Sequence, residues 1–140
     1  MSDQNRLLCR ELSLLAFNRR VLAQAQDARV PLLERLRFLC IVSSNLDEFF
    51  EVRMAWLKRE HKLRPSSRLD NGKTPAETIA AVSAEAHAII QEQYALFNDE
   101  LQPALSREGF QGLGLVADVH IDHVGLHRLH CVAGLAQLIP

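Results

Sequence analysis

Ser43, Ser44 and Asn45, followed closely by Asp47 and Glu48, interrupt an apolar run, "LLERLRFLCIV", that ends at position 42. An asparagine side chain offers a donor and an acceptor in one plane, which is the pattern needed to read the edge of a purine base. The same cluster also reads as a helix break with a cap. Asn45 or Ser44 then accepts from the exposed amides of the next turn, while Asp47 and Glu48 place negative charge at the positive end of the helix. One side chain can serve both purposes.

Two other groups have the residue types for chemistry. His120, His123, His127 and His130 recur at steps of three, four and three, with Asp122 and Cys131 nearby. On a helix these histidines fall within an arc of about 80°, and they are Zn²⁺ or Ni²⁺ ligand types. A straight helix face spreads four ligands along its length, so they do not close one tetrahedral shell, and Gly125 interrupts the helix. No metal ligand is therefore assigned. Lys58, Arg59, Lys62, Arg64, Arg68 and Lys73 run from a helix end into a loop. They suit charge-assisted contacts to a polyphosphate, but a solvated surface is the simpler reading. His61 and His87 read as surface or packing residues, and Trp56 and Tyr94 as packing. Neither G-x-x-x-x-G-K-[ST] nor G-x-G-x-x-G occurs, so no glycine-rich loop cradles phosphates, and no catalytic residue is assigned.

The elements that must hold these residues are helical. A first helix is expected with Ser13 as N-cap, an apolar face of Leu14, Phe17, Val21 and Leu22, and an end near Asp27. Pro31 suits the first turn of a second helix with Leu32, Leu33, Leu36, Leu39 and Cys40 on its stripe and Arg35 and Arg37 off it. After Asn45 the pattern resumes through Leu46, Phe49, Phe50, Arg53, Met54 and Leu57, as one bent helix or a new one. Residues 62–74, with Pro65 and the Asn71-Gly72 pair, form a loop. Thr74, Pro75 and Glu77 make a capping box for a long helix on Ile79, Val82, Ala86, Ile90, Phe97 and Leu101, with Gly109 as its stop. The fold class that follows is all-α, an antiparallel bundle of three or four helices. "LGLVADVHI" is a weak strand candidate.

A net charge of −1 gives no global field to gather nucleic acid. The N-terminal residues lack the apolar segment of a secretory signal, and the longest stretch without Asp, Glu, Lys or Arg is too short for a bilayer. Three widely spaced cysteines, Cys9, Cys40 and Cys131, argue against a disulfide framework. A cytoplasmic protein without a transmembrane segment is expected. Only three of its charged residues lie after position 110, and four of the six glycines do, so residues 111–140 are set apart from residues 1–110.

Residues 10–58 resemble the N-terminal domain of bacterial polyphosphate kinase, of the kind that forms a phosphohistidine. The segments "RELS", "FNRRVL", "PLLERLRFL" and "SSNLDEFFEVR" stand in that family's order and spacing, and a looser likeness runs to "LSREGF" near position 110. The resemblance implies an enzyme that reversibly moves the terminal phosphate of ATP onto polyphosphate, using Mg²⁺ and a phosphorylated histidine. It implies a helical N-terminal domain that contributes to self-association in a homo-oligomer and supplies one ATP-binding asparagine, matched here by Asn45. The phosphorylated histidine, the Mg²⁺ ligands and the polyphosphate contacts belong to domains outside the matched region, so this chain alone is expected to be inactive. The tail after Phe110 does not match and reads as divergent or as the product of a shifted reading frame. The alternative is a free-standing helical interaction domain in which the polar cluster is only a cap.

Overall fold

The computed structural model describes residues 9–110, 115–118 and 128–131. Helix α1 runs Arg10–Gln26, α2 Leu32–Glu48, α3 Ala55–Leu63, α4 Pro75–Leu96 and α5 Gln102–Arg107. Two π-helical segments, Phe49–Met54 and Phe97–Leu101, join α2 to α3 and α4 to α5 without a break. The helices therefore form three rods. Side-chain bonds pair position 11 with 53, 18 with 45 and 25 with 35, which makes α1 and α2 antiparallel. Bonds from Arg35 to Glu100 and from Gln93 to Leu39 run α4 and its extension back along α2. Strands β1 (Leu115–Asp118) and β2 (Arg128–Cys131) pair antiparallel, with Val116 opposite His130. No helix among the described residues is long and apolar enough to cross a membrane.

The core is filled by Leu15, Leu22, Leu36, Leu39, Val42, Phe50, Met54, Leu57, Ile89, Phe97 and Leu101, among others. Each rod contributes one stripe at helical spacing, and burial of these stripes rather than helix propensity holds the rods in place. Three sequence expectations need correction. The first helix starts at Arg10 with Cys9 at its N-cap, and Ser13 lies exposed inside it. Its buried face is Glu11, Leu15, Asn18, Leu22 and Ala25, whereas Leu14 and Phe17 face outward, 43% and 53% exposed. Two polar residues sit on the buried face, so apolarity alone chose the neighbouring register. Arg35 is likewise buried: its Nε donates to the Ala25 carbonyl at 2.8 Å and its Nη2 to Glu100 at 2.7 Å.

The third correction concerns residues 43–45, where no helix break exists and Asn45 caps nothing. Gln93 of α4 donates to the Ser43 hydroxyl and, at 3.2 Å, to the Leu39 carbonyl. Asn45 turns instead to Asn18 of α1. Polar side chains satisfied across the bundle do not need to divert the backbone of their own helix. The irregularity comes one turn later, as the π-helical segment. Its wider turn lets consecutive Phe49 and Phe50 both enter the core, edge to face at 5.8 Å, and rotates Arg53 off the apolar stripe.

Other local signals behave as the sequence implies. Gly109, at φ +90°, ends the third rod, and the amide of Phe110 reaches back to the Leu105 carbonyl at 2.9 Å. Pro103 is accommodated just after a π-helical segment, where the regular ladder is already interrupted. The capping box forms in full: Thr74 Oγ1 accepts from the Glu77 amide at 3.3 Å, and Glu77 Oε2 accepts from the Thr74 amide at 2.9 Å. Thr74→Ala is expected to lower stability by about 1 kcal/mol, measured as a reduced urea midpoint with an unchanged slope.

Candidate functional site

Asn18, 2% exposed, stands midway along the buried face of α1. Its Nδ2 donates to the carbonyl of Val42 at 3.2 Å, and its Oδ1 accepts from Nδ2 of Asn45 at 3.1 Å. One amide is thereby sealed in the helix interface while the other, half-buried, lies at its edge. The edge is the wall of a groove of about 370 Å³ between α1 and the rod of α2. Leu14, Phe17, Val52 and Phe49 give it an apolar lining, while Asn45, Arg10, Glu48 and Arg53 supply the polar groups. Apolar walls with a few placed polar atoms are the composition of a small-molecule site. Phe17 also carries the Arg20 guanidinium on its ring, 5.6 Å from the centroid.

Arg53 separates this groove from a second, more polar one of about 540 Å³ lined by Arg10, Glu11, Trp56, Glu60, Arg64, Arg68 and Asp70. Its Nη2 donates to Oε1 of Glu11, and its guanidinium lies over the Trp56 ring at 5.2 Å from the centroid. Trp56, 40% exposed, is thus a platform for Arg53 and not a bundle-packing residue. Burial pushes the Glu11 carboxyl up, but the Arg53 hydrogen bond together with the Glu11 amide and the Cys9 thiol outweighs it, leaving the group below its ordinary value.

Of the basic group, Arg64 and Arg68 reach the second groove, and both are engaged within the fold. Arg64 donates to Glu60 at 2.9 Å, and Arg68 to the Gly72 carbonyl at 2.7 Å. His61 and His87 are exposed, and His87 shares a hydrogen bond with Gln91 at 3.1 Å. His120, Asp122, His123 and His127 lie outside the described residues; His130 and Cys131 lie on β2, not on a helix. Among the described residues no three His, Cys, Asp or Glu side chains gather as metal ligands.

The structure brings Asn45 to a groove and adds Asn18, Phe17, Val52 and Arg53 around it. Sequence reasoning placed Phe17 in the core and passed over Asn18. The usable signal was Asn18 itself, four residues before a core leucine and three after another, Leu22 and Leu15, where a lone amide needs a partner.

A family model described as the polyphosphate kinase N-terminal domain matches residues 7–113. Over 109 residues the chain is 75% identical to "Polyphosphate kinase" of Neisseria meningitidis serogroup B (strain MC58), covering 78% of the chain and 16% of the relative. It is 75% identical over 108 residues to the protein of the same name from Neisseria gonorrhoeae, covering 77% of the chain and 16% of that relative. The Burkholderia vietnamiensis protein of that name is 49% identical over 109 residues, with shares of 78% and 16%. The chain thus spans about a sixth of the length of these curated relatives. No solved structure matches it.

Proposed function

The chain belongs to the polyphosphate kinase N-terminal domain family, and from that premise we propose that it is the nucleotide-contacting module of a polyphosphate kinase, with Asn45 touching ATP. On this reading the terminal phosphate of ATP passes onto polyphosphate, and the Mg²⁺ ligands and the phosphorylated histidine are expected in parts of the enzyme beyond the 16% of the relative's length that the chain spans. The observation that carries the reading is the placement of the Asn45 amide on the wall of a groove that also has apolar walls from Leu14, Phe17, Phe49 and Val52, with Arg10, Glu48 and Arg53 as its charged groups. A purine needs those two things: a flat apolar slot and a planar polar group at its edge. The same exposed rim of Leu14, Phe17 and Val52 supports docking of further domains or self-association.

Phosphoryl transfer depends on cations and metal holding the charge of the transferred group, with donor and acceptor in line. Three of the arginines at the grooves, Arg53, Arg64 and Arg68, are tied to Glu11, Glu60 and Gly72, so on this reading the module contributes binding and leaves the chemistry to the rest of the enzyme. The purified 140-residue chain is accordingly expected to make no polyphosphate from ATP and Mg²⁺. In a complete enzyme built on this domain, Asn45→Ala is expected to raise the KM for ATP up to about tenfold, the worth of one ordinary hydrogen bond. An unchanged KM in a variant that melts like the parent removes Asn45 from the ATP site.

A further inference from the structure

We propose that Asn18 is a positioning residue that fixes which way round the Asn45 amide meets the nucleotide, so that Asn45 presents its carbonyl oxygen and selects a purine with an amino group, not an oxo group, at position 6. This rests on the reading of Asn45 as an ATP contact.

The polarity is set by an atom that cannot change role. A backbone carbonyl only accepts, so at 3.2 Å from the Val42 oxygen the Asn18 amide must turn its Nδ2 inward. Its Oδ1 then faces Asn45, and Asn45, at 3.1 Å, must offer its own Nδ2. Oδ1 is then the end of the Asn45 amide that Asn18 does not engage, on a side chain that lines the groove. Reversing either amide sets oxygen against oxygen or N–H against N–H, and with Asn18 2% exposed no water is at hand to mediate. Asparagine at a free surface takes either orientation; here a chain of three groups, Val42, Asn18 and Asn45, allows one.

An acceptor at the groove wall complements an N–H donor on the base. Adenine carries an amine where guanine and hypoxanthine carry an oxo group, whose lone pairs would meet those of the Asn45 oxygen. Asn18 lines the same groove but is 2% exposed and has its amide engaged by Val42 and Asn45, so its effect on selectivity is expected to pass through Asn45.

The test uses a complete enzyme built on this domain and compares ATP with inosine triphosphate, which has the oxo group, and purine riboside triphosphate, which has hydrogen in place of the amine. In the parent both analogues are expected to show a KM roughly tenfold above that of ATP. Asn18→Ala frees the Asn45 amide to rotate, so the ATP to inosine triphosphate ratio should collapse toward unity, through KM and with kcat for ATP retained. Asn18→Asp keeps an acceptor facing Asn45 and should retain the discrimination at lower stability, an outcome that a merely structural role does not produce. A parental ratio in Asn18→Ala, alongside a raised ATP KM in Asn45→Ala, overturns the positioning role and leaves the ATP contact standing. An unchanged ATP KM in Asn45→Ala overturns the ATP contact itself. If Asn18→Ala does not fold, the parent decides: equal KM for ATP and the analogue without the amine overturns the inference.

Discussion

Glu11→Ala is expected to lower the stability of the chain by about 2–4 kcal/mol, somewhat below the cost of breaking a fully buried ion pair because Arg53 is only partly buried. The Glu11 side chain is 7% exposed and that of Arg53 22%, so the truncation strands a guanidinium in the helix interface with only the Trp56 face against it. Because the penalty comes from the stranded charge rather than from the net worth of the pair, removing both charges should restore most of it. The double variant Glu11→Leu, Arg53→Met is expected to have a denaturation midpoint close to that of the parent. A double variant no better than Glu11→Ala assigns the loss to packing instead. The pH dependence has a definite sign. The folded-state value of Glu11 lies below its ordinary 4.5, so the ionised group stabilises the fold above that pH and the contribution is lost as pH falls through the folded value. The gap between parent and Glu11→Ala should therefore narrow on acidification below pH 4.5. A gap that stays constant or widens shows that the carboxylate does not carry the effect.

What was legible in the sequence was whatever is decided within one helical turn or one loop. Thr74 and Glu77 are three residues apart and close their capping box without help from the rest of the chain. Gly109 supplies a positive φ that few other residues tolerate. The stripe from Val82 to Leu101 repeats long enough for its burial to be plain, and the bundle class follows from such stripes. Asn45 was picked out as the residue of interest because it defies that pattern.

Everything decided across the bundle was illegible. Asn18 and Asn45 are 27 positions apart, and Ser43 and Gln93 are 50 apart. Without those partners on view, polar residues inside an apolar run look like a break. Local reasoning accordingly assigned a cap at Asn45 where the helix in fact continues. The same blindness turned α1 by one residue: a face holding Glu11 and Asn18 does not look like a core face until Arg53 and Val42 are placed opposite it. The rotation had a functional consequence, because it hid Phe17 and Leu14, the exposed side chains of α1 that with Leu15 give the groove its apolar wall. Polar residues at core positions are where the local rules fail, and here they surround the candidate site.

Arg35→Ala is expected to cost about 2–4 kcal/mol, and its reason lies at the far end of the same helix pair. Ala25 is in the last turn of α1, where carbonyls have no intrahelical partner, and its oxygen is answered by Arg35 Nε at 2.8 Å. With Ala25 fully buried and the Arg35 side chain 10% exposed, water does not readily replace the donor, and the arginine stem also fills space in the interface. Arg35→Met separates the two effects: it keeps the stem, loses both hydrogen bonds and should recover about half of the loss. Glu100→Gln should cost less than about 0.5 kcal/mol, since its side chain is 58% exposed and the pair there is screened. If Arg35→Met melts like the parent, the Ala25 carbonyl needs no partner and arginine is filler. Three ties thus join α1 to the second rod: Glu11 with Arg53, Asn18 with Val42 and Asn45, and Ala25 with Arg35. The outer two hold the helices together, and although Arg53 also borders the groove, only the middle tie reaches it through an amide whose direction matters. In a complete enzyme, Arg35→Met should therefore lower the melting temperature and leave the ratio of ATP to inosine triphosphate untouched, whereas Asn18→Ala should abolish that ratio. A ratio that follows stability in both variants assigns base selection to the rigidity of the domain and takes it away from the Asn18 amide.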